Sequence, residues 1–165
     1  MREVRVSGVS LDPVSNTPII ILRDRETERV IPIWIGLLEA PSITTELEAI
    51  RLPRPMTHDL LKSILEKLHV RVAKVEVDGL RNSTFYATIY LKGEGLDVSI
   101  DARPSDAIAI ALRTGSPIYV AEQIIEASDR IDLTTLETEE KDISAKDWNE
   151  VLEEMTPEDF GKFRM

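Results

Sequence analysis

The densest run of chemically active side chains is Asp101-Ala102-Arg103-Pro104-Ser105-Asp106, with two carboxylates and a guanidinium side by side. Leu96, Val98 and Ile100 alternate with Asp97, Ser99 and Asp101, so a strand here turns its apolar residues to the core and Asp101 to the opposite face. Pro104 then opens a helix. The free amides and partial positive charge of a helix start suit a phosphate oxygen, and Arg103 can add a bidentate contact. Asp101 and Asp106 together could hold a hydrated Mg²⁺ or Mn²⁺. The same residues also have a plain structural use, with Asp106 complementing its helix dipole and Asp101 pairing with an arginine.

A second cluster, Arg51, Arg54, His58 and Asp59, stands at a proline-rich break and the start of a further helix. An imidazole exchanges protons near neutrality, so His58 beside Asp59 is an acid–base candidate, and a capping or partner-binding histidine is the alternative. His69 ends the same helix, where it complements the C-terminal dipole. Glu39 is a third candidate carboxylate, or else a solvated helix-start acid. Tyr86 and Tyr90 share one strand face, opposite Phe85 and Ile89, which offers a stacking platform or ordinary core packing.

Positioning these groups requires a set of alternating strands and helices. Val4 to Leu11 reads as a strand bulged at Gly8, and Pro18–Leu22 and Val30–Ile35 read as a hairpin with Pro32 at an edge or bulge. A helix is expected from Pro41 to about Arg51, and a second is capped by Thr57, with Leu61, Ile64, Leu65 and Leu68 on one face. Strands over 70–77, 84–91 and 96–100 form an antiparallel meander, with Asp78-Gly79 and Gly93-Glu94-Gly95 as turns. A buried helix runs from Pro104 to Gly115, then a short strand over 118–120 and a helical turn or two over 121–127. A strand leading to Ala40-Pro41-Ser42 and another leading to Arg103-Pro104-Ser105 suggest duplication of one strand–helix unit. The fold class is therefore α+β: a mixed, largely antiparallel sheet with helices packed against it. Residues 1–136 form the domain. Residues 137–165 form an acidic tail with Trp148, Val151, Leu152 and Met155 at helical spacing.

Composition bounds the chemistry. A chain of 165 residues fits one domain. The absence of cysteine rules out disulfides, zinc–thiolate sites and iron–sulfur clusters. No phosphate-cradling glycine loop, Gly-x-Ser-x-Gly elbow or His-Glu-x-x-His is present. The net charge of −10 opposes a polyanionic partner, but residues 137–165 carry −6 of it and leave −4 on the body, so a local basic groove is compatible with the composition. No apolar run reaches membrane-spanning length and the start lacks an apolar signal region, which points to a cytoplasmic protein without a membrane partner. The edge near Pro32 and the amphipathic tail point to a homo-oligomer, with the tail as a contact for a protein partner.

Taken in order, Ile31-Pro32-Ile33-Trp34-Ile35-Gly36 with Glu39-Ala40, Arg54-Pro55-Met56-Thr57-His58-Asp59-Leu60, Thr84-Phe85-Tyr86-Ala87 and Asp101 to Ile108 resemble the bifunctional nuclease domain family over roughly residues 1 to 130. The tail lies outside the usual domain. The resemblance implies an α+β domain that cleaves RNA and DNA. Glu39, Asp101 and Asp106 are then expected to bind Mg²⁺ or Mn²⁺, and Arg54, Arg103 and Ser105 to bind phosphate. His58, oriented by Asp59, is expected to transfer protons alongside Asp101 and Asp106. The competing expectation is a non-enzymatic oligomeric scaffold that binds a protein or a small anion.

Overall fold

Two three-stranded antiparallel meanders, each leading into a helix, make up most of the computed structural model, which describes residues 1–128 together with residues 147, 150, 153 and 154. The first comprises β1 (Arg2–Leu11), β2 (Pro18–Asp24) and β3 (Val30–Trp34), followed by α1 (Ala40–Leu47). The second comprises β4 (Arg71–Arg81), β5 (Thr84–Gly93) and β6 (Leu96–Ala102), followed by α3 (Pro104–Thr114). Between them comes α2 (Thr57–Lys67); β7 (Ile118–Val120) and α4 (Glu122–Ser128) follow α3. The sheet order is β3-β2-β1-β7-β4-β5-β6, so β7 joins the two meanders, antiparallel to β1 and parallel to β4. The resulting mixed sheet with its helices is the expected α+β architecture, and the repeated meander-plus-helix gives the suspected duplication a structural counterpart.

Local chemistry accounts for most boundaries. Gly8 marks the bulge in β1, where the register against β2 shifts between Val6 and Gly8. Asp24, almost fully buried, accepts the amides of Glu26 and Thr27 and closes the β2–β3 reversal. Pro32 lies on an edge strand, where a missing N–H costs no ladder bond on the open side. Ile20, Leu22, Ile31, Ile33, Val75 and Val77 meet Ala107, Ile108, Ile110 and Ala111 of α3 in one core. No helix among the described residues is long and apolar enough to cross a membrane.

Four expectations need correction. The α1 helix stops at Leu47 because Ala49 turns left-handed (φ 53°), with its N–H bonded to Glu46 O and that of Ile50 to Thr45 O. These two bonds form a Schellman cap, which usually announces itself by glycine. Thr57 is the first helical residue and not the cap; the carboxylate of Asp59 instead accepts the Met56 amide at 2.9 Å. Asp78-Gly79 is a register shift inside β4, and the turn falls at Asn82-Ser83, both with positive φ as a type I′ hairpin requires. Leu96, Val98 and Ile100 are 36–47% exposed, because α3 packs over β4 and β5 but leaves β6 uncovered. The amphipathic helix read around Trp148 falls mostly outside the described residues; Asp147, Glu150, Glu153 and Glu154 are helical and exposed.

Candidate functional site

The residue before each of α1 and α3 carries the centre of the site. Glu39 precedes α1 and Arg103 precedes α3, and their side chains meet across the two halves, Nη1 to Oε1 at 2.7 Å. Arg103 also grips Asp106, with Nε to Oδ2 at 2.6 Å and Nη2 to Oδ1 at 3.0 Å. His58, reaching from α2, places Nε2 3.1 Å from the same Asp106 Oδ1. A chain of four side chains thus joins residues 39, 58, 103 and 106, with Arg103 its most exposed member and Glu39 and His58 mostly covered.

Electrostatics fix the charge states. Burial raises the pKa of Asp106, yet its bonds to His58 and Arg103 outweigh this and hold the carboxyl at about 2. The bond to Asp106 raises the Arg103 pKa against a smaller opposing effect of burial. Gly36 contributes by having no side chain: a Cβ there would collide with the Glu39 carboxylate and push it off Arg103.

Beside this chain opens a hollow of about 790 Å³. Trp34 and Ile35 line it from the end of β3, Leu80 and Ser83 to Tyr86 from the β4–β5 hairpin, and Asp101 to Asp106 from the β6–α3 junction. Both sheet edges therefore reach one cavity, although six flat strand intervals would separate them by roughly 29 Å, so the sheet must curl. The Asp101 side chain makes no hydrogen bond or ion pair with any described residue and presents its carboxylate to the hollow. Ser105 lies buried on its floor.

The remaining candidates divide. Asp59 does not orient His58; successive helical residues point about 100° apart, and Asp59 instead binds Arg113 at 2.6 Å. Arg113 is almost fully buried and also donates to Ser42 O and Ala109 O, so this pair ties α1, α2 and α3 together. For Asp59, burial pushes the pKa up, but the bonds from Arg113 and the Met56 amide together with the nearby Arg113 and Arg51 charges outweigh it, and the net shift is downward. Arg54 is exposed on the α1–α2 connection and lines neither the hollow nor the chain of four. Tyr86 lines the hollow, whereas Tyr90 is taken by Glu76, which drives its hydroxyl pKa up to about 12. Among the described residues, no three or more His, Asp or Glu side chains gather so as to hold a metal ion. Two of the three expected ligands, Glu39 and Asp106, face the Arg103 guanidinium instead.

Sequence reasoning assigned no role to Arg113 or Trp34. A charge closing the otherwise apolar 107–112 run was the available signal for the first. Nothing local marked Trp34, since only the curl of the sheet brings β3 to the β6–α3 junction.

Known proteins resemble this chain over most of its length. An uncharacterised protein of Mycobacterium tuberculosis is 35% identical over 168 residues, covering 97% of this chain and 98% of that protein. Bifunctional nuclease 1 of Oryza sativa subsp. indica is 30% identical over 118 residues, covering 68% of this chain and 35% of its own length. Bifunctional nuclease 2 of Arabidopsis thaliana is 32% identical over 110 residues, covering 64% and 33%. This chain therefore spans about a third of the plant proteins it matches. The bifunctional nuclease domain profile matches residues 20–132, which include β3, α2, the β4–β5 hairpin and the β6–α3 junction, and the chain belongs to the bifunctional nuclease domain family.

Proposed function

We propose that the hollow binds and cleaves a phosphodiester of RNA or DNA. The observation that carries this reading is the pairing, in one cavity, of an unengaged carboxylate at Asp101 with a clamped guanidinium at Arg103. Arg103 neutralises the phosphate beside the first amides of α3, where developing negative charge is best stabilised. Asp101 takes the proton of the attacking water as its oxygen bonds to phosphorus and the P–O bond to the leaving nucleoside oxygen breaks, the leaving oxygen taking its proton from solvent in the open hollow. Glu39 and Asp106 hold the fork of Arg103, and His58, which does not line the hollow, holds Asp106. The plant relatives named as nucleases support the substrate class.

Mg²⁺ or Mn²⁺ at Glu39, Asp101 and Asp106 would have to displace Arg103 from two of those three carboxylates, so no step is routed through a metal. In rigorously purified protein, Arg103→Ala is expected to lower kcat/KM on a single-stranded oligonucleotide by about 100-fold. Arg103→Lys should recover little, having lost the bidentate fork. EDTA is expected to leave turnover within about threefold, as follows if no metal holds the phosphate. Turnover that survives Arg103→Ala but requires Mn²⁺ would assign the carboxylates to a metal instead.

A second reading, a self-associating scaffold, is favoured by one observation. Leu60, Ile64 and Leu68 of α2 are 46–66% exposed, and Leu96, Val98 and Ile100 of β6 are also uncovered. A second copy is the occupant we infer for these faces. Sedimentation of Ile64→Asp and Ile100→Asp against the parent chain tests it, with a fall to monomer expected.

A further inference from the structure

The hollow is richer in aromatic surface than the phosphate chemistry needs. Trp34, Phe85 and Tyr86 are three of the eight aromatic residues in the whole chain. Tyr86 is 39% exposed, and the Arg81 guanidinium lies 5.5 Å from its ring centroid. Asp101 pairs with Thr88 across β5 and β6, so Tyr86, two residues along, is its diagonal neighbour on the same sheet face. Tyr86 and the proposed reaction centre are therefore about 7–8 Å apart, as diagonal neighbours on a sheet are.

Charge points the same way. The residues lining the hollow include one cation, Arg103, already held by Glu39 and Asp106, while Asp101 and Asp106 are acids. Such a surface cannot track a phosphate backbone through many lysine and arginine contacts, as duplex binding requires. Affinity must come from elsewhere, and an aromatic wall supplies it by stacking.

We propose that Tyr86, with Trp34 also lining the hollow, seats an unpaired nucleobase, so that the domain takes single-stranded nucleic acid and discriminates against duplex. This rests on the nuclease reading of the same hollow. In a duplex the base is locked within its own stack and must first be extruded, at a cost the wall has to offset. A single strand presents its base freely.

The test is fluorescence anisotropy of the full-length protein with a labelled single-stranded 12-mer, the same 12-mer carrying abasic sites, and the annealed duplex. The single strand is expected to bind at least 10-fold more tightly than either of the others. Tyr86→Ala should weaken its binding about 10-fold, within the range for loss of one stacked base, and Tyr86→Phe should restore it. The slope of log K against log salt should be near −0.7 to −1.4, as for one or two phosphate contacts. Equal binding of the abasic and parent strands, or no effect of Tyr86→Ala, overturns the base seat. Arg103→Ala separates the two readings. If it abolishes binding while Tyr86→Ala does not, the nuclease reading stands and the base seat falls. If neither substitution matters, or no strand binds, both fall.

Discussion

At the scale of single residues, Asp106 is the hinge of the site, because Arg103 and His58 both depend on its charge. Its folded pKa of about 2 lies below the ordinary aspartate value of 3.8, so the unfolded chain binds the proton more readily. The stability this contributes is complete above about pH 4 and is lost as pH falls toward 2. Acid titration of Asp106→Asn by circular dichroism is expected to show a shallower loss of stability across that window than the parent chain. Asp59 plays a different part. Removing it leaves the buried Arg113 guanidinium without its carboxylate, and Asp59→Ala is expected to cost about 3 kcal/mol in denaturant unfolding. Rescue of both stability and activity by Asp59→Ala combined with Arg113→Met would identify an architectural pair; the catalytic expectation for Asp59 would instead show activity lost at restored stability.

Among the elements, the helix ends set the geometry. Schellman caps close α1 at Ala49 and α2 at His69, each with a non-glycine residue at positive φ. An L side chain is strained there, so Ala49→Gly is expected to stabilise the fold by about 0.5 to 1 kcal/mol, read as a rise in the urea midpoint at unchanged slope. At the starts of α1 and α3, Pro41 and Pro104 in the first turns preset the backbone and leave Glu39 and Arg103 as the flanking residues. Their ion pair therefore joins the residues that flank the two helix starts, one from each half.

For the whole molecule, β1 is the strand that cannot be spared. The family match begins at residue 20, within β2, yet β1 bonds β2 on one side and β7 on the other and buries Val4 and Val9. A chain starting at residue 20 would separate the β2–β3 hairpin from the rest of the sheet. It is expected to lose cooperative thermal unfolding, whereas a chain ending at residue 132 should retain it; equal cooperativity of both would contradict the central position of β1.

Periodicity and punctuation made most elements readable without coordinates: β-branched alternation wrote the strands, and Pro104 with Gly115 bracketed α3 within a residue. Those signals act over a few positions, as does the chemistry that placed Asp101, Arg103 and Asp106 at one junction. Where a boundary depended on an unusual backbone conformation of an ordinary residue, as at Ala49, or on a register shift, as at Asp78-Gly79, residue type carried no warning. Which partners the charged groups chose was decided only in three dimensions. Glu39, His58 and Arg113 each find a mate about 50 or more residues away, because sheet curl and helix packing, and not sequence distance, determine which side chains meet.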